Sequence, residues 1–248
     1  MKTAVVMPAW NEEEGIGEFL AELERCLRFV GPQFIVVDDK STDATYSLLE
    51  NLASSGFPLV VTTNETNLGH GPSTIRALSM GLASRPDVIV AIDGDGQFLG
   101  EDVATALRVF GDENIDVLEG VRQARNEPKF RQGVTLSTRL LVWSRTGRMP
   151  RDANTPLRIY KPVALQSLLA SIPEDLLTPN LAFSVLTRNS NLITREFPVR
   201  SIPRRGSNQQ GSTWLARTQW WPSRRFLAFC GKALRQWFAV PARHLLES

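Results

Sequence analysis

The chain has 248 residues, 42% of them hydrophobic and 22% charged, with a formal net charge of +2. That suits one large α/β domain, or a domain with an appendage, able to bury a substantial core. Two distant cysteines, Cys26 and Cys230, imply neither a disulfide framework nor a CxxC zinc site and fit a reducing compartment; without a basic-then-apolar leader or a bilayer-length apolar run, a cytoplasmic location is expected.

Residues 3–7 read as a short apolar strand, and residues 12–30 carry helical spacing with Ile16, Phe19, Leu20, Leu23 and Leu27 on one side. A second strand, 34–37, runs into Asp38-Asp39. Residues 45–52 follow as a helix, with Asp43 placed to cap it. Residues 59–61 form a third strand that leads to Asn64, 73–83 a third helix, and 88–92 a fourth strand. This β-α repetition predicts an α/β fold with a mostly parallel central sheet and helices on both faces. Such sheets bind ligands beyond the carboxyl ends of their strands. Asn11-Glu12, Asp38-Asp39, residues 64–71 and Asp93-Gly94-Asp95 are therefore expected to converge on one edge. The second half is less regular. Residues 122–158 are rich in arginine, 152–156 read as a loop, 165–170 as a helix, 192–199 as a strand and 206–212 as a polar, flexible segment.

Asp93-Gly94-Asp95-Gly96-Gln97 closes the fourth strand. In an extended chain Asp93, Asp95 and Gln97 share a face. Three oxygen side chains on one face suit Mg2+ or Mn2+, and magnesium commonly combines one or two carboxylates with substrate phosphates. The same residues also suit an Asp/Gly turn after a strand. Other phosphate-handling motifs fail. No GxGxxG, GxxxxGK[ST] or GxSxG is present, and Ala104 stands where an EF-hand needs its bidentate Glu. An aspartyl phosphatase also uses Asp-x-Asp, but that loop normally ends the first strand and continues to Thr or Ser.

Taken together, residues 6–12 (VMPAWNE), 35–43 (IVVDDKSTD), 67–71 (NLGHG), 93–97 (DGDGQ), 152–160 (DANTPLRIY) and 197–212 resemble glycosyltransferase family 2. The likeness is strongest to its polyprenyl-phosphate branch, typified by dolichyl-phosphate mannose synthases. It implies a GT-A fold over residues 1–215, with a nucleotide-sugar half at about 1–100 and an acceptor half at about 101–215, and a basic appendage at 216–248. Two departures stand out: Pro156-Leu157 replaces the usual Gly-Phe, and Ser201 stands where many relatives carry His.

The resemblance assigns roles. Pro8, Trp10, Asn11 and Glu12 would line the nucleoside pocket, and Asp39 would meet the base or ribose. Asp93, Gly94, Asp95 and Gln97 would face the donor diphosphate and its Mg2+ or Mn2+, with Asp95, Asp152 and Arg158 counted as the catalytic residues. Arg122, Arg131, Arg139, Arg158 and Arg204 are candidates for phosphate contact, because a planar guanidinium grips phosphate with two bonds. Asp152 would stand near the acceptor, as base, orienter or turn cap. His70, between glycines next to a helix start, reads as a loop residue or one that stands behind the ligands, rather than as a catalyst or ligand. The implied reaction moves a hexose, with inversion, from a nucleoside diphosphate sugar to a polyprenyl phosphate. A saccharide acceptor and a silent nucleotide-sugar binder are the alternatives.

From Arg200 onward there are nine Lys/Arg and one acid, a net +8, which leaves −6 for the first 199 residues. Phe226, Cys230, Ala233, Leu234 and Trp237 recur at helical spacing among these cations, after Trp214, Trp220 and Trp221. That pattern suits an interfacial helix on the anionic cytoplasmic face of a membrane. It suits equally a helix packing its apolar stripe on the domain. No nucleic-acid partner is implied.

Overall fold

The structure, a computed structural model, describes residues 1–123, 129–206 and 224–240, with side chains 129–131 and 224–230 excepted. In chain order the described elements are β1 (Thr3–Ala9), α1 (Ile16–Leu27), β2 (Gln33–Asp38), α2 (Thr45–Ser54), β3 (Leu59–Thr63), α3 (His70–Ala83), β4 (Val88–Ala91), α4 (Gly100–Asp112), β5 (Val117–Arg122), α5 (Lys129–Thr146), β6 (Arg158–Tyr160), α6 (Pro162–Ala170), α7 (Pro179–Arg188), β7 (Thr194–Val199) and α8 (Arg224–Ala239). The boundary expected at 215/216 lies outside the described residues, as do 207–212, Trp214, Trp220 and Trp221.

The strands form one sheet in the order β3-β2-β1-β4-β6-β5-β7. All neighbours run parallel except β6, which lies antiparallel to both β4 and β5. The expected mostly parallel sheet is present, with helices on both faces. Every residue of β1 and β4 is buried, as a strand covered on both faces requires. Their alternate side chains feed two layers. Val5, Met7 and Val90 pack with Phe19 and Leu23 of α1, Leu49 of α2 and Leu107 of α4. Ala4, Val6 and Ile89 pack with Leu78 of α3, Leu165 of α6 and Phe183 of α7.

The first helix starts at Ile16, four residues later than its periodicity suggests. Residues 13–15 are a turn in which the amides of Gly15 and Ile16 both donate to the Glu12 carbonyl, each at 3.0 Å. Gly15 is needed there, since a Cβ would lie 2.7 Å from the Cβ of Arg205.

The C-terminal helix is docked on the domain. Trp237 of α8 is buried against Val142, Ala153, Leu181 and Val185, and Val240 joins Ile75, Leu176 and Ala182. Arg145 of α5 donates to the carbonyls of Trp237 and Val240, at 2.7 and 2.6 Å, and so caps the end of α8. The packing alternative therefore holds for this face of the helix. No helix among the described residues is long and apolar enough to cross a membrane.

Candidate active site

The carboxyl ends of β1, β2, β3 and β4 open on one edge, and the polar residues after them do converge. Several of them brace one another. Asn11, at φ 54°, accepts the Thr42 amide on its side-chain oxygen at 2.8 Å and donates its own backbone amide to the Ser41 hydroxyl oxygen at 3.0 Å. The buried Asp38 carboxylate accepts the Thr63 hydroxyl at 2.8 Å and the Ser41 amide. Asp39 is also buried. Its carboxylate accepts Asn64 Nδ2 at 2.7 Å and the Leu68 and Gly69 amides, each at 2.8 Å. These bonds fix the 64–70 loop, so this edge presents a braced loop rather than an open Asp39 carboxylate. Trp10 remains partly exposed beside it.

After β4 the chain turns at Gly94–Asp95, and Gly96 adopts φ 65°. The expected extended run is therefore absent, yet Asp93, Asp95 and Gln97 all stay partly exposed while Gly94, Gly96 and Phe98 are buried. Gly94 donates to the Pro8 carbonyl at 3.2 Å, and a Cβ there would lie 2.9 Å from that oxygen. Pro8 and Gly94 thus set the turn's position, and Pro8 itself is buried. A segment after β7 straps the turn in place. Ile202 donates to the Gln97 carbonyl at 3.0 Å, and Arg205 donates to the Asp95 carbonyl at 3.2 Å and, through Nε, to the Gly96 carbonyl at 3.2 Å. Arg205 also pairs with Glu18 and Glu22 of α1. Arg204 pairs with Glu12, Nε to Oε2 at 3.0 Å. Glu12 and Arg204, expected to serve the donor separately, are closed on each other.

His70, read from the sequence as a loop residue, begins α3 and places Nε2 3.5 Å from Asp93 Oδ1. Their side chains are 54% and 24% exposed. Among the described residues, no three His, Cys, Asp or Glu side chains gather into a complete metal cage. Asp93 with an accessible imidazole nearby suits a divalent ion that takes its other ligands from water and a diphosphate. Sequence spacing gave no hint that His70 meets Asp93, because thirteen helical residues and a strand separate the two.

The half expected to serve the acceptor is built on β5 and the loop before β6. Arg122 ends β5 and makes two bonds to Asp152, Nε–Oδ2 at 2.6 Å and Nη2–Oδ1 at 2.9 Å. Burial alone would raise the Asp152 carboxyl; the bonds and charge of Arg122, with the Asn154 amide, hold it below the usual carboxylate range. Arg122 also lines a cleft of about 540 Å3 with Val121, Gln123, Arg139 and Arg151. Arg139 is anchored by the Pro150 carbonyl at 2.8 Å. Arg151 escaped the sequence reading and is the third arginine of this cleft. The Arg131 side chain lies outside the described residues.

Arg158 is the clear correction. It opens β6 and is fully buried, donating to Glu119 Oε1 at 2.7 Å, Ser184 Oγ at 2.7 Å and the Asn180 carbonyl at 3.0 Å. Glu119 is also held by Arg188 at 2.8 Å. With its donors turned into the core, Arg158 braces the sheet.

Comparison with known proteins agrees with this geometry. The chain is 28% identical over 184 residues to the undecaprenyl-phosphate 4-deoxy-4-formamido-L-arabinose transferase of Enterobacter sp. (strain 638), covering 73% of this chain and 55% of that one. It thus spans about half the length of that relative. It is 25% identical over 214 residues to uncharacterized protein MJ1222 of Methanocaldococcus jannaschii, covering 84% of each. Glucosyl-3-phosphoglycerate synthase from Mycobacterium tuberculosis, solved with Mn2+, UDP and glucosyl-3-phosphoglycerate, superposes with a TM-score of 0.61 at 18% identity, over 96% of this chain and 78% of that one. A mannosyltransferase from Pyrobaculum calidifontis, solved with GDP-Man and Mn2+, gives a TM-score of 0.57 at 19% identity, over 96% and 63%. Residues 4–166 match the sequence model of glycosyl transferase family 2, and the chain belongs to that family as a glycosyltransferase with the GT-A fold.

Proposed function

We propose that the protein transfers a hexose, with inversion, from a nucleoside diphosphate sugar to a polyprenyl phosphate, assisted by Mg2+ or Mn2+, and works at the cytoplasmic face of a membrane. The observation that carries this reading is the cleft lined by Arg122, Arg139 and Arg151. Three guanidinium groups suit a phosphate monoester far better than a neutral sugar. The state of Asp152 supports the same acceptor. A sugar hydroxyl needs a general base in the transition state. Asp152 is a poor one, because its oxygens are engaged by Arg122 and its proton affinity is depressed. A phosphate monoester has a second pKa of about 6 and is already an anionic nucleophile at neutral pH. Asp152 then fixes the direction of Arg122, and Arg122 and Arg139 hold the acceptor oxygen toward the donor edge. When bound, the divalent ion neutralises charge developing on the departing nucleoside diphosphate. Asp93 is its proposed protein ligand, with Asp95 and Gln97 on the same turn.

Product analysis with labelled donor tests the reading directly. Label should enter a butanol-extractable lipid; label in saccharide would transfer support to the saccharide acceptor, and none in either would leave a nucleotide-sugar binder. Arg139→Ala should raise the acceptor KM about tenfold, the worth of about 1.5 kcal/mol of charged hydrogen bonding, with the donor KM unchanged. An equal rise in both would remove Arg139 from the acceptor site.

The pH profile offers a further check. A depressed carboxyl contributes stability that is present above its unfolded pKa and lost only as pH falls through the lower folded value. The Arg122–Asp152 pair therefore persists across the neutral range. kcat/KM for the acceptor should rise through about pH 6 as its phosphate ionises and then level off. A flat profile between pH 5 and 8 would point to a non-ionising acceptor.

A further inference from the structure

We infer that α5 and α8 together form the surface by which the protein docks on an anionic lipid bilayer. The C-terminal helix cannot do this with Trp237, which is buried on the domain. Beside that buried contact, Leu234 and Phe238, one turn apart, are 47% and 78% exposed, so the part of the stripe at Leu234 is not covered by the domain. The helix it packs beside has an apolar stripe of its own. Leu136, Leu140 and Trp143 recur at i, i+4 and i+7 on α5, each between 43% and 50% exposed. Five large apolar side chains turned to water on two neighbouring helices call for a partner.

The charge on these helices says which partner. By sequence α5 holds Lys129, Arg131, Arg139 and Arg145, and α8 holds Arg224, Arg225, Lys232 and Arg235; neither holds an acid. Asp175 reaches Lys232 at 3.7 Å, and Glu196 is engaged by Arg188 and by the Arg151 amide. Exposed apolar side chains on two helices whose sequences hold eight cations and no acid match the acyl boundary and headgroups of anionic lipid. A second copy of the chain fits poorly, since a twofold contact would set the same cations against one another.

The placement also matters for chemistry, and here it rests on the lipid-phosphate reading. Arg139 lies one turn before Trp143 on α5 and lines the arginine cleft. With the outer face of α5 at the headgroups, the cleft opens at the level where a lipid phosphate resides.

The test uses the purified full-length protein and vesicles of phosphatidylcholine, with or without phosphatidylglycerol. Wild type should co-sediment with the mixed vesicles and release at high salt. Leu140→Glu/Trp143→Glu places charges at exposed positions, so its melting temperature should stay within a few degrees of wild type, while vesicle partitioning falls at least about tenfold. Val163→Glu, an exposed apolar position on α6, should bind as wild type does. Undiminished binding by the α5 variant overturns the proposal, as does binding that ignores phosphatidylglycerol. A wild-type dimer that the α5 variant dissociates assigns the face to a second copy and also overturns it. Transfer to a short, water-soluble polyprenyl phosphate separates the two readings: the α5 variant keeps that transfer if only docking is lost, and wild type lacks it if the acceptor reading is wrong.

Discussion

Arg158→Ala is expected to lower folding stability by about 3–5 kcal/mol, because it leaves buried polar groups without their charge partner. Arg158 and Arg188 share the two oxygens of Glu119, which is buried in the middle of β5. Removal of Arg158 also takes a donor from the Asn180 carbonyl and from the Ser184 hydroxyl, which keeps only the bond it donates to the Ala153 carbonyl at 2.8 Å. For a domain of this size the melting temperature should fall by roughly 10 °C. The protein that remains folded should keep both substrate KM values within about twofold of wild type. A stable variant with an impaired acceptor KM alone would put Arg158 back in the substrate site. A cycle with Glu119→Gln separates the pair from its neighbours, and the coupling should be large, since the groups touch.

The second large effect is expected at Asp93. Asp93→Ala should reduce transfer by roughly two to three orders of magnitude, the several kcal/mol that a metal contributes as a Lewis acid. Calorimetry gives the sharper readout. Wild type should bind a nucleoside diphosphate more tightly in Mn2+ than in chelator, and the variant should show one affinity in both. The fold should persist, because Asp93 is partly exposed at a strand end and the turn is held by the Gly94, Gln97 and Asp95 backbone bonds. A variant whose affinity still responds to Mn2+ would remove Asp93 from the metal site. The His70 imidazole beside it makes pairing with His70→Ala the natural companion experiment.

The first four strands and three helices were legible because they obey simple periods. β1 and β4 are uninterrupted apolar runs, and α1 repeats at helical spacing. What followed Phe98 was harder to read. β5 carries Glu119 and Gly120 at its centre, a pattern that argues against a buried strand until Arg158 and Arg188 are known to neutralise the charge. Gly120 is there because Leu157 crosses it, and a Cβ would lie 3.0 Å from Leu157 Cδ2. β6 has three residues and begins with an arginine, too short for any period. At the site, the sequence identified the residue types but not their pairings. Glu12 with Arg204, Asp152 with Arg122 and His70 with Asp93 are separated by 192, 30 and 23 positions, and only the sheet order brings them together.

The reversed direction of β6 has a practical consequence. Ala91, the last residue of β4, lies opposite Arg158, the first of β6. The donor turn is formed by chain leaving the sheet, while the Asp152 loop is formed by chain arriving at it. The two loops therefore meet at one rim without sharing a connection. Residues 147–151 can be lengthened or exchanged without moving the Asp93 turn, whose anchors are Pro8, Ile202 and Arg205. If the proposed function holds, acceptor range and donor range are separable engineering variables in this scaffold: a graft between Gly147 and Arg151 should change which acceptor is used while the nucleotide preference stays with the host.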